Sequence, residues 1–125
     1  MTPVRHRSDP WPDRRLLFLM GRTGKMENKK ITVVARVKAK AGMEEQLKQM
    51  LLSNLTPTRA ESGCVTFDLH EGIDDASQLM SYENWATKAD LDEHLQKPYI
   101  IDFMSKAKDI LAESPEITLW RQLET

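Results

Sequence analysis

At 125 residues, 40% of them apolar and 30% charged, the chain has material for one core and not for two. No stretch approaches the roughly 20 apolar residues of a membrane span, so no membrane partner is expected. The single cysteine, Cys64, precludes an intrachain disulfide, no Cys/His cluster has metal-ligand spacing, and a reducing, cytoplasmic setting is expected. The formal charge of -1 hides an asymmetry, with six Lys/Arg against two Asp in residues 1–25 and twelve against seventeen acids in residues 26–125. A mildly acidic body argues against nucleic acid as the partner.

Residues 1–25 mix prolines, arginines and a short apolar run, Leu16 to Met20, without helical or strand periodicity. The run is too short for the core of a signal peptide, and Asp9, Asp13 and three prolines weaken a transit-peptide reading. The segment reads as a disordered extension, dispensable for folding, ahead of a domain spanning 26–125. From Ile31 the pattern becomes regular. Ile31, Val33, Ala35 and Val37 alternate with Thr32, Val34, Arg36 and Lys38, the period of a strand. Met43, Leu47, Met50, Leu51 and Leu55 then mark one face of an amphipathic helix. Pro57 lies late in that pattern, so the helix kinks or restarts there before a stop at Ser62-Gly63. Alternation resumes from Cys64 to Glu71, breaks at the turn residues of Gly72 to Ala76, and continues as a third strand from Gln78 to Trp85. That strand carries bulk on both faces: Leu79, Met80, Tyr82 and Trp85.

Thr87 reads as an N-cap with Asp90 near the positive end of the helix dipole, opening a short helix through Leu91, His94 and Leu95. Pro98 suits the first position of a further helix, whose apolar stripe is Tyr99, Ile100, Phe103, Ala107, Ile110 and Leu111. Ile117 to Leu123 alternates as a last strand. The order β-α-β-β-α(α)-β is the ferredoxin-like split βαβ arrangement, an α+β fold with a four-stranded antiparallel sheet and helices on one face. The other face is left bare, and with Tyr82, Val34 and Trp120 on offer it is expected to be covered by a second copy of the chain.

The run YENW at 82–85, followed by EHLQKP at 93–98, resembles the signature of the antibiotic biosynthesis monooxygenase family, in particular its quinol monooxygenase branch. The likeness extends from about Ile31 to Leu123 and includes ITVVARVKAKAG at 31–42 and the turn-to-strand stretch from Glu61 to Leu69. The resemblance implies a homodimer whose two sheets close into a dimeric α/β-barrel, and oxidation of a small aromatic, hydroquinone-like substrate by O2 without a cofactor. Two features of other branches are absent. Ser81 and Leu91 stand where polyketide-tailoring members carry asparagine and tyrosine, and Tyr99 to Phe103 lacks the histidine of haem-degrading members.

Side chains two apart on a strand share a face, so Glu83 and Trp85 point the same way, and the following helix can swing His94 over them. An acid, an indole and an imidazole would then line one cavity. The resemblance implies that Trp85 lines it; His94 is the candidate general base, Trp85 the platform for a flat ring, and Glu83 the group that orients or charge-stabilises His94. Each residue also has an ordinary structural explanation: a core tryptophan, a packing histidine, and an exposed glutamate paired with Arg36 or Arg121. His70 is expected to be exposed, and Cys64 to be a packing residue. No phosphate loop, nucleophile elbow or zinc motif is present, so no cofactor and no metal are expected. Two other readings compete: an isomerase or degradative enzyme acting on a small signalling metabolite, and a non-catalytic dimeric module that binds a small ligand.

Overall fold

Alternation of apolar and polar side chains builds four strands, which a computed structural model covering residues 10–11 and 29–124 pairs into one sheet. Among the described residues the chain runs β1 (Ile31–Lys38), α1 (Glu44–Leu52), α2 (Leu55–Arg59), β2 (Cys64–Glu71), β3 (Gln78–Trp85), α3 (Lys88–Leu95), α4 (Pro98–Ala107) and β4 (Glu116–Trp120). The sheet order is β2-β3-β1-β4 with every pairing antiparallel. This is the split βαβ topology expected from the element order.

Register decides which side chains meet. Val33, Glu83 and Phe67 stand in one cross-strand row, and Ile31, Trp85 and Cys64 in the next. These rows face the helices, where Ile31, Val33, Phe67 and Trp85 form one core cluster with Leu91 of α3. A second cluster, around Val37, Leu47, Leu79, Ala107, Ile110 and Leu111, fills the other end of the layer. Fully buried side chains such as Leu47 and Trp85 each contribute on the order of 1.5–3 kcal/mol by removal from water. The opposite face carries Arg36 paired with Glu116 at 2.7 Å, together with exposed Val65, Tyr82 and Trp120.

Pro57 produces a restart rather than a kink. Lacking an N–H, it cannot bond the carbonyl four residues back, and the helix breaks at Ser53-Asn54. In α2, Pro57 falls in the first turn, where a missing donor costs little. Thr87 caps α3 as expected, its Oγ1 accepting from the Asp90 backbone N–H at 3.1 Å, and Pro98 opens α4. β4 stops at Trp120, opposite Thr32 near the start of β1, rather than at Leu123.

Of the expected extension 1–25, only Pro10 and Trp11 are described, and the rest lies outside the described residues. Trp11 departs from the expectation of a segment with no part in the domain. Its ring packs against the second core cluster and meets Phe103 edge-on at 5.8 Å, and its indole N–H donates to the Met104 carbonyl at 2.8 Å. An indole buries too much apolar surface to remain in water when a helix face is within reach.

The start of α3 rests directly on the turn before β2. A side chain at Gly63 would place its Cβ 2.1 Å from Asp90 Cγ, and Asp90 is held by the Thr87 hydroxyl at 2.9 Å. Gly63→Ala is therefore expected to cost about 1–3 kcal/mol through overpacking, read as a lower urea midpoint with an unchanged slope.

Candidate functional site

The strand-to-helix passage from β3 to α3 positions the site. Glu83 is 6% exposed on β3, and its two oxygens are both engaged from their own strand. Oε2 accepts from Ser81 Oγ at 2.7 Å and Oε1 from Trp85 Nε1 at 2.9 Å. Three residues of one strand face, at positions 81, 83 and 85, thus form a chain of hydrogen bonds that the period-two geometry makes possible. Burial pushes the Glu83 carboxyl above the usual carboxylate range; the Ser81 and Trp85 hydrogen bonds and the electrostatic influence of His94 oppose the shift without cancelling it.

His94, 4% exposed on α3, lies against the Trp85 ring with centroids 4.5 Å apart and planes tilted 35°. Its Nδ1 is 2.7 Å from Glu61 Oε2. The same carboxylate oxygen accepts a short hydrogen bond from the Tyr99 hydroxyl, which lies 3.1 Å from Thr58 Oγ1. Burial, and then the hydrogen bond to Glu61, push the Tyr99 phenol well above its ordinary range. With the carboxylate accepting, the hydrogen-bond pattern assigns a proton to His94 Nδ1.

Glu83 and His94 both line a cavity of about 100 Å³ between sheet and helices. Its other walls include Phe67, Leu95, Ile100 and Ile117, with the amide of Asn54 and the hydroxyl of Ser81 adding polarity to an otherwise apolar surface. An apolar pocket with a few convergent polar groups is what a small aromatic ligand requires.

The three residues singled out from sequence are therefore brought together, but in roles that differ from those expected. Trp85 does not line the cavity; it is fully buried behind His94 and serves as the surface on which the imidazole rests. Glu83 is not the acid that orients His94, because its oxygens are committed to Ser81 and Trp85, and Glu61 does that work. Nor does Glu83 pair with Arg36, which binds Glu116. Sequence patterning assigns no role to Glu61 or Tyr99; the nearest signals are an acid just before the Ser62-Gly63 stop and a tyrosine just after Pro98. His70 is exposed as expected, and Cys64 is half-buried, its thiol pushed up by burial and by the nearby Glu83, consistent with packing.

Comparison with known proteins shows the family and the fold. The model of the family described as antibiotic biosynthesis monooxygenase matches residues 30–106. Protein sll1783 of Synechocystis is 30% identical over 95 residues, 76% of this chain, which spans 65% of that relative's length. Rv0793 of Mycobacterium tuberculosis is 29% identical over 94 residues, 75% of this chain and 92% of the relative. The solved structure of Rv0793 superposes with a TM-score of 0.74 at 28% identity, covering 78% of this chain and 98% of that one. PA3566 of Pseudomonas aeruginosa gives 0.73 at 27% identity, covering 77% and 96%.

The environment of Glu83 makes a stability prediction. A carboxyl whose folded pKa is raised contributes stability that is complete below its unfolded value, near 4.5, and is lost as pH rises through the folded value. The difference in unfolding free energy between the native protein and Glu83→Gln is thus expected to shift in favour of the variant as pH climbs from 4 to 8. Urea titrations at several pH values read this, and parallel stability–pH curves for the two proteins would count against a neutral Glu83.

Proposed function

The chain belongs to the antibiotic biosynthesis monooxygenase family, and from that premise we propose that it oxidises a small hydroquinone-like aromatic with O2, the substrate itself supplying the electrons. The observation that carries the reading is the meeting, in one small apolar cavity, of an imidazole held by a carboxylate with a buried carboxyl whose proton affinity burial raises.

In this reading His94 Nε2 takes a proton from a substrate hydroxyl, and Glu61 stabilises the imidazolium that forms. The resulting phenolate is electron-rich enough to pass one electron to O2, and the radical pair recombines to form a ring carbon–oxygen bond. The O–O bond of that peroxide then breaks. One oxygen stays on the ring, the other leaves as water, and the diol becomes a hydroxyquinone, so that hydroquinone plus O2 gives hydroxyquinone plus H2O. The ring yields four electrons in total. The imidazolium returns its proton to the departing oxygen. Apolar walls keep bulk water from quenching the intermediate.

The second half of the proposal is a homodimer. The sheet face away from the helices exposes Trp120 at 57%, Val65 at 58% and Tyr82 at 40%, a spread of apolar surface that a second copy would cover.

Oxygen uptake by the purified protein with a monocyclic hydroquinone tests the chemistry. His94→Gln is expected to lower the rate roughly a hundredfold, the usual scale for a general base. Unchanged turnover would remove His94 from that role, and ligand binding without any oxygen uptake by the native protein would favour a binding module. For the assembly, Trp120→Glu combined with Tyr82→Glu is expected to convert a dimer to a monomer in sedimentation equilibrium.

A further inference from the structure

The cavity has a wall that the sheet and helices do not supply. Trp11 lies among its lining residues together with Phe103 and Met104 of α4, although it precedes β1 by twenty positions. We infer that Trp11 is a specificity-determining residue: its indole closes the end of the cavity opposite His94 and limits the ligand to a single ring. The inference rests on the reading of the cavity as an aromatic substrate site.

Position supports it first. The cavity follows β3 from Leu79 to Glu83, a span of roughly 14 Å at the strand rise of about 3.4 Å per residue. Its Glu83 end adjoins the cluster of Phe67 and Trp85 on which His94 packs. Its Leu79 end adjoins the other cluster, and Trp11 packs there. The imidazole and the indole therefore bracket the length of the space. Its volume, about 100 Å³, is well below the ~300–1,000 Å³ of pockets that take drug-sized ligands.

Anchoring supports it second. The indole N–H is bonded to the Met104 carbonyl at 2.8 Å, in the last turn of α4, and the ring abuts Phe103 edge-on. One directional bond and one aromatic contact fix both ends of the side chain, which is what distinguishes a wall from a residue lying loosely on the surface. The sequence also flanks Trp11 with Pro10 and Pro12. Two prolines narrow the conformations open to the intervening residue, so less entropy is lost in holding it in place.

The test compares full-length native protein, Trp11→Ala and Trp11→Phe for anaerobic binding of benzene hydroquinone and naphthohydroquinone by titration calorimetry, with folding checked by circular dichroism. Trp11→Ala is expected to raise the affinity for the two-ring diol relative to the one-ring diol by about tenfold. Trp11→Phe, which keeps a ring but is shorter and lacks the bond to Met104, is expected to shift the ratio in the same direction by about threefold, and it decides the matter if the alanine variant does not fold. A ratio unchanged in the folded variants overturns the wall, as does binding of neither diol. Oxygen uptake measured in parallel keeps the two claims apart. A shifted binding ratio without oxygen consumption upholds the wall and sinks the oxidation, whereas oxygen consumption with an unshifted ratio does the reverse.

Discussion

One carboxylate oxygen ties the helical layer together. Glu61 Oε2 accepts from His94 of α3 and Tyr99 of α4, and Glu61 itself sits in the turn that joins α2 to β2. Its backbone is held there in turn, with the Glu61 N–H bonded to the Thr58 carbonyl and the Cys64 N–H bonded to that of Glu61. The side chains of Glu61 and His94 are only 10% and 5% exposed, so these hydrogen bonds form where solvent screens them weakly. Removing Glu61 would take from the buried His94 Nδ1 its carboxylate partner, the costly half of hydrogen-bond energetics. The helices are therefore placed over the sheet by apolar packing, by this shared carboxylate, and by Arg59 of α2 bonded to the Phe67 carbonyl and to Asp68 of β2.

That contact also separates two acids that sequence alone would treat alike. Glu61 is a group that two donors share at the edge of the helical layer. Glu83 is enclosed on the sheet, with burial the dominant influence on its proton affinity. His94, which lines the cavity together with Glu83, gives its Nδ1 to Glu61. The scaffold achieves this with short-range devices. A strand period of two lines up Ser81, Glu83 and Trp85, and a threonine cap fixes where α3 begins and hence where its seventh residue, His94, falls.

Much of this was legible in the chain. Alternation located the strands, Thr87 and Pro98 located the starts of two helices, and the shared face of Glu83 and Trp85 followed from strand geometry. What could not be read were contacts between residues far apart in sequence. Glu61 meets His94 across 33 positions, and an acid beside a turn more often sits in water, so nothing local marks it. The depth of Trp85 depends on how closely α3 settles over the sheet, which the close approach of Gly63 to Asp90 controls. Trp11 lies in a stretch without periodicity, and its partner Met104 is 93 positions away. Patterns report which way a side chain points, whereas the partner it finds depends on the whole topology.

The stacking of His94 on Trp85 gives the molecule an optical gauge. Of the three indoles, the one at Trp85 is wholly shielded and should emit at the blue edge of the spectrum, while Trp120 is largely in water and should emit further to the red. A protonated imidazole is an efficient quencher of excited indole, and at a centroid separation of 4.5 Å it is in contact with its target. Blue-edge emission therefore reports the charge on the ring beside the cavity, so proton traffic at this position can be followed without attaching any label.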